Sequence, residues 1–117
     1  MDQIADYNDS ELWIIRTAVR ERYSKEVELM MADSELRLDG GSAQLTPCPT
    51  TVWEDNGATL AIFKTGEDCY RPQFYYKGHE QYGTGKKEFN DLGECVITLL
   101  QVQADHVTKN KTDSVDG

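Results

Sequence analysis

The sequence predicts an α+β fold, in which an antiparallel β-meander of three to five strands is flanked by an N-terminal and a C-terminal helix packed on one face. Three observations predict it. Apolar residues recur every three or four positions near both ends of the chain, as in amphipathic helices. The middle of the chain alternates apolar and polar residues around Asn56-Gly57, a dipeptide typical of a type I′ hairpin turn. The predicted turns are too short for the crossovers that parallel strands need.

The first helix is predicted to begin between Asn8 and Ser10. Asn8 and Glu11 have the spacing of a capping box, with Asn in place of the usual Ser or Thr. The apolar stripe that follows has the helical period and comprises Leu12, Ile15, Val19 and Tyr23.

Residues 25–38 fit two interpretations. Alternating apolar residues favour two strands joined near Asp33-Ser34, whereas Val27 and Met30 would also continue the helical stripe. We prefer the strands, because the alternation resumes at 35–39 and stops at Gly40-Gly41. Residues 40–50 are then a long loop, kept extended by two prolines.

The Asn56-Gly57 hairpin predicts strands near 51–55 and 58–64. A two-residue loop places Trp53 opposite Leu60 and Thr51 opposite Ile62. Trp53, Leu60 and Ile62 therefore share the expected core face, while Val52, Ala61 and Phe63 share the other, so cover on both sides is expected.

A second turn at Thr65–Asp68 leads into an aromatic strand over 69–77. Pro72 within this strand suits a sheet edge or a bulge. The second helix follows Asp91, which has capping-box spacing to Glu94. Its apolar side chains directed towards the sheet are Leu92, Val96, Leu99, Leu100 and Val107. Residues 1–108 are thus one domain, and 109–117 are expected to be a polar, disordered tail.

Charge limits the classes of partner. Twenty-one acidic and twelve basic residues give a net charge of −9, which argues against binding nucleic acid or an anionic membrane and favours a basic protein or a cationic ligand. The N-terminus lacks the basic and apolar segments of a signal peptide, and three cysteines fit reduced thiols. We therefore expect a cytoplasmic protein.

The chain carries no motif for enzymatic chemistry. Gly83–Lys86 resembles the end of a phosphate-binding loop, but position 80 is Glu80 and position 87 is Lys87, so the spacing fails. The three cysteines and two histidines lack paired ligand spacing. We expect no enzyme activity, no cofactor and no metal, and Cys48 is expected to be the most exposed thiol.

The aromatic strand carries more rings than one core face can hide. Tyrosine and arginine are typical of interface hot spots. The sequence therefore predicts a small non-enzymatic protein–protein interaction module, such as an inhibitor, immunity factor or chaperone, that binds a protein or a second copy of itself. The predicted partner-binding residues are Tyr75, Arg71, Tyr82 and Gln73.

An alternative is a domain that binds a small, possibly cationic, molecule between the helices and the sheet. The acidic charge of the chain would favour a cation. The predicted lining residues are Trp53, Phe63, Tyr76 and either Met30 or Met31.

Overall fold

The computed structural model describes residues 4–37, 44–55, 57–76, 81–82 and 87–116. Side chains are described in these ranges up to Asp105, except at 81–82. Several residues used above therefore lie outside the described part. They are Leu38, Gly40-Gly41, Asn56, the segment 77–80 with His79 and Glu80, and the segment 83–86, together with the side chains of Tyr82, His106 and Val107.

The architecture is an antiparallel meander with a helix before and after it, so the predicted α+β fold is confirmed. The five-stranded sheet has the order β1-β2-β3-β4-β5, and every neighbouring pair is antiparallel. The elements are α1 (Asp9–Tyr23), β1 (Met30–Leu36), β2 (Thr46–Asp55), β3 (Ala58–Gly66), β4 (Cys69–Tyr76), β5 (Gln81–Tyr82) and α2 (Leu92–Asp116).

The predicted capping box begins α1. The Asn8 side chain accepts a hydrogen bond from the Glu11 backbone N–H at 2.8 Å, and Glu11 Oε1 accepts from the Asn8 N–H at 2.8 Å. The helix ends at Ser24, which adopts a left-handed conformation with φ 57° and donates its N–H to the Arg20 carbonyl. Ile15 and Val19 of the predicted stripe are buried.

The central hairpin also has the predicted register. Trp53 pairs with Leu60 and Thr51 pairs with Ile62. Gly57 has φ 81°, a conformation that glycine adopts without steric cost. The next turn lies at Glu67-Asp68, within the predicted segment, and a register shift between Lys64 and Gly66 precedes it.

Two predictions about the first half of the sheet were wrong. Residues 30–36 form one strand that runs straight through Asp33-Ser34, and all seven residues pair with β2. The predicted loop over 40–50 ends early, because β2 already begins at Thr46 and includes Pro47 and Pro49. Both differences have one cause. Pairing with a neighbouring strand overrides the local preference of turn-type residues.

The core lies between the sheet and the two helices. Trp53, Leu60, Ile62 and Phe74 are fully buried on this face of the sheet. Within the described residues, both helices lie on this face. On the other face of the hairpin Ala61 is buried, whereas Val52 and Phe63 are half-buried, so the expected cover on both sides is found only in part. The helical side chains of the core cluster are Ile15, Val19, Leu92, Cys95, Val96, Leu99 and Leu100.

The start of α2 confirms the predicted N-cap, because the Asp91 side chain accepts a hydrogen bond from the Glu94 backbone N–H at 3.1 Å. The helix is described through Asp116. Its backbone is therefore helical through 109–116, a segment that was expected to be a disordered tail.

Candidate functional site

The face of the sheet opposite the helices carries a row of half-buried side chains. Arg71, Gln73 and Tyr75 occupy alternate positions of β4 and so point to this side. By register, Arg71 lies opposite Phe63, and Gln73 lies opposite Ala61 on β3. We call the surface formed by Phe63, Arg71, Gln73 and Tyr75 the open face. Three of the four predicted partner-binding residues are thus brought together.

Tyr82, the fourth predicted residue, has a different position in the sheet. On β5 it pairs with Phe74, whereas Gln81 pairs with Tyr75. Directly opposite residues share a sheet face, so the register places Tyr82 in the row of Phe74 and not in the row of Tyr75. The structure therefore does not bring Tyr82 into the open face.

Arg71 is held in place by an ion pair at the rim of the open face. Its Nε donates to Glu88 Oε2 at 3.2 Å, and the Thr65 hydroxyl donates to the same carboxylate oxygen at 2.9 Å. The Glu88 side chain is 43% exposed, so this pair adds little to stability. The pair places the guanidinium at the rim, on the strand position opposite Phe63.

Pro72 fits into β4 without breaking the sheet. Tyr70 exchanges two backbone hydrogen bonds with Phe89 at 2.8 Å, on the side of β4 away from β3. Pro72, two residues further on, has the same orientation, so its missing N–H faces away from the β3 ladder. Among the described residues, no strand pairs with β4 on this side at Pro72, which agrees with the edge position that a proline predicts.

The residues of the alternative pocket do not meet at one place. Trp53 is fully buried, and its Nε1 donates to the Tyr23 hydroxyl at 3.5 Å. Tyr76 packs edge-on against Phe74, on the helix side of the sheet. Phe63 lies on the open face, and Met31 is 52% exposed on β1. Met30, which alternates with Met31, is 44% exposed.

A buried polar cluster joins α1 to the sheet, and sequence reasoning missed it. Lys64 Nζ donates to Glu11 Oε1 at 3.0 Å and to the Asp6 carbonyl at 3.2 Å. The Tyr70 hydroxyl donates a short hydrogen bond to Glu11 Oε2. The side chains of Lys64 and Glu11 are only 7% and 11% exposed. The ion pair is therefore almost fully removed from water.

Tyr7 completes this cluster. Its ring stacks on Tyr70 with centroids 6.4 Å apart, and Lys64 Nζ lies 5.8 Å from the Tyr7 centroid. The Tyr7 hydroxyl donates to the Ile62 carbonyl at 2.7 Å. Burial is the main reason why the pKa of both tyrosines is raised, so both stay protonated and act as hydrogen-bond donors.

Glu11 is the ionised member of the cluster. Burial opposes its ionisation, but hydrogen bonds from Tyr70, the Asn8 N–H and Lys64, with the charge of Lys64, hold its pKa below the ordinary 4.5. The arrangement gives every member a partner and leaves none poised for proton transfer. We interpret the cluster as structural.

One signal in the sequence could have revealed this cluster. Ala58, Leu60, Ile62 and Lys64 occupy alternate positions of β3, so a lysine stands in the core row. A buried lysine requires an acidic partner. Glu11 precedes Ile15 and Val19 at four-residue spacing on the buried side of α1, which makes it the matching candidate.

The three cysteines lie in different elements, and two of them are buried. Cys48 is fully buried in β2, which corrects the expectation that it is the most exposed thiol. Burial raises its pKa, and burial raises the pKa of Cys95 to about 12. Cys69, at the start of β4, is half-buried. Among the described residues, no three His, Cys, Asp or Glu side chains are grouped so as to hold a metal ion.

These positions predict a simple order of thiol reactivity. A maleimide reagent at about pH 8 is expected to label Cys69 in the folded protein, because buried thiols with raised pKa values react slowly. Cys48 and Cys95 should react only after unfolding in urea. Peptide mapping by mass spectrometry before and after urea checks this, and early labelling of Cys48 would contradict its burial in β2.

Comparison with protein-family models, with curated proteins and with solved structures finds no match to this chain. No helix in the described residues has the length and apolar character required to cross a bilayer.

Proposed function

We propose that this chain is a small, acidic, non-enzymatic protein–protein interaction module of the cytoplasm, of the inhibitor, immunity-factor or chaperone kind. It contacts a protein, or a second copy of itself, through the open face. One observation carries the proposal: both described helices cover the same side of the sheet, and the other side presents Arg71, Gln73 and Tyr75 in one row.

The residue types on the open face support protein binding. Tyrosine and arginine are enriched among the residues that contribute most to interface affinity. Arg71 lies 3.2 Å from Glu88 at the rim of this face, where a partner could contact its guanidinium. Phe63 beside it provides apolar area that a partner would bury.

The charge of the chain supports a basic partner. A net charge of −9 attracts a positively charged protein during diffusion and accelerates its association. Steering of this kind weakens as salt is added, because mobile ions screen the charges. A binding rate that falls with ionic strength is therefore part of the proposal.

The thiols and the buried carboxylate, which are groups that could act in catalysis, give little support to a catalytic role. Two of the three thiols are buried and have raised pKa values, and the buried carboxylate of Glu11 is fully occupied by donors. We do not extend the proposal to the small-molecule alternative, because Trp53, Phe63, Tyr76 and Met31 do not line one cavity.

Tyr75→Ala is expected to weaken partner binding about ten-fold or more, because truncating an interface hot spot costs more than 1 kcal/mol. The melting temperature should change by less than about 3 °C, because substitutions outside the core change stability by about 0.5 kcal/mol. The partner is first identified with a photo-crosslinking benzoylphenylalanine at position 75 in the native host. The purified partner is then titrated against both proteins by calorimetry.

The matched control is the same photo-crosslinker at Ile97, which is 53% exposed on α2. It should not crosslink the partner captured from position 75. Sedimentation velocity tests whether that partner is a second copy. Equal crosslinking from both positions, or unchanged affinity of Tyr75→Ala, would remove the open face from the proposal.

A further inference from the structure

The outer side of β1 is an open sheet edge. In the part of the chain that the structure describes, β1 pairs with β2 on one side, and no strand pairs with the other. Five of its seven residues are exposed, including Met30 and Met31. An edge strand of this length presents a row of backbone N–H and C=O groups to which a further strand can bond.

A groove lies beside this edge, on the helix side of the sheet. It has a volume of about 380 Å³ and lies between β1 and the segment that leads into α1. Its apolar wall includes Tyr7, Leu12 and Met31, and the carboxylates of Asp6 and Asp33 line it as well. A long basic side chain can lay its apolar stem along such a wall and place its charge beside the acids.

We propose that β1 binds an extended segment of a partner protein by strand addition. In this segment, basic side chains on the helix side face Asp33 and Glu35, and apolar side chains on the other side face Met30, Ala32 and Leu36. The inference rests on the proposed function, since it names a surface and the partner chemistry for an interaction module. Backbone hydrogen bonds provide affinity in this mode, and alternate side chains provide specificity.

The acidic charge of β1 indicates which kind of strand would bind beside it. β1 contains Asp33 and Glu35 and no basic residue, and the chain as a whole carries −9. Pairing with a second copy would bring two acidic edges together, and like charges on facing strands are destabilising. A basic segment of another protein has the complementary charge. Within the described residues, no ion pair engages the carboxylate of Asp6 or Asp33.

An added strand would also extend the open face. By register, Ala32 pairs with Thr50, and Thr50 pairs with Phe63, so these three residues form one row across the sheet. Apolar side chains of the added strand next to Ala32 would continue this row. One partner could therefore contact both the β1 edge and the open face.

The test uses a fluorescent peptide of alternating valine and arginine, as long as β1, and measures its binding to the full chain by anisotropy. We expect saturable binding that weakens with salt. A peptide of alternating valine and glutamate should not bind. An arginine peptide with N-methyl groups on the alternate residues whose amides face β1 should lose binding, because it cannot complete the ladder of backbone hydrogen bonds. Equal binding by either control peptide would overturn the proposal.

Variants locate the site. Asp33→Asn is expected to weaken the arginine peptide about three- to ten-fold, since it removes a charge beside the bound strand. Glu21→Gln is the matched control, because Glu21 is exposed on α1 and its loss changes the net charge equally. Hydrogen exchange should slow at alternate β1 amides when the peptide is bound. Equal effects of the two variants, or protection elsewhere, would overturn the assignment.

Two further measurements separate this inference from the proposed function. Tyr75→Ala should leave the affinity for the arginine peptide unchanged, because the open-face row of β4 lies three strands away. The arginine peptide could bind as expected while the Tyr75→Ala variant keeps its affinity for the natural partner. That result would contradict partner binding through the open face and would still support strand addition at β1. Self-association of the wild-type chain that protects the β1 amides from hydrogen exchange would overturn the partner assignment, because β1 would then bind a second copy.

Discussion

Lys64→Met is expected to lower the free energy of unfolding by about 3–5 kcal/mol, the range for removing one partner of a buried ion pair. The lysine lies 3.0 Å from Glu11 with its side chain only 7% exposed. Methionine fills a similar volume but leaves the Glu11 carboxylate buried without its cation. Urea denaturation followed by circular dichroism measures the change.

The double variant Glu11→Gln, Lys64→Met is the control. Glutamine keeps the spacing of the capping box with Asn8 and carries no charge. Replacing both members of a buried pair is far less destabilising than replacing one. The double variant should therefore be more stable than Lys64→Met alone. A loss below about 1 kcal/mol in the single variant would instead mean that the pair is effectively hydrated.

The same pair makes stability depend on pH. Because the folded state holds the pKa of Glu11 below 4.5, the ionised form stabilises the protein fully above that value. This contribution is lost as the pH falls below 4.5 and through the lower folded pKa. Unfolding midpoints should thus fall more steeply on acidification in the wild type than in the double variant, and parallel profiles would contradict this role.

Trp53→Ala is expected to destabilise the protein by about 3–5 kcal/mol, because it removes a large, fully buried side chain and leaves a cavity. Trp53 pairs with Leu60, and Leu60 pairs with Phe74, so the indole lies in the central row of the core. The truncation also removes the hydrogen bond to the Tyr23 hydroxyl. The same denaturation experiment gives the loss.

Met31→Ala separates the core from the alternative pocket. Met31 is 52% exposed, so its truncation should cost less than about 1 kcal/mol. A cationic aromatic dye that raises the melting temperature of the wild type, and not of Trp53→Ala, would favour a ligand pocket at the indole. We expect that Trp53→Ala loses much stability, and that the dye does not change the melting temperature of the wild type.

The helices and the central hairpin were predictable because their signals are local. The N-cap of α1 needs only Asn8 and Glu11, three residues apart, and the hairpin register follows from the loop length around Gly57. β1 was harder to predict, because Asp33-Ser34 is a turn-type pair in isolation. Seven consecutive pairs with β2 override that preference.

The candidate surfaces show the same division. Alternation along β4 by itself determined that Arg71, Gln73 and Tyr75 share a side. The folded chain was needed to show that this side lies away from both helices, and that the register of β5 places Tyr82 in the row of Phe74. Alternation along a strand separates its two sides, but it does not predict which side packs against a helix.

The meander, its central register and the two amphipathic helices could be predicted from the amino-acid sequence, because each depends on residues a few positions apart. The three-dimensional packing was needed to show that Lys64 contacts Glu11 across 53 positions, and that β1 is an edge of the described sheet beside an acidic groove. Such contacts depend on the packing of α1 against the sheet, and long-range packing has no local pattern in the chain.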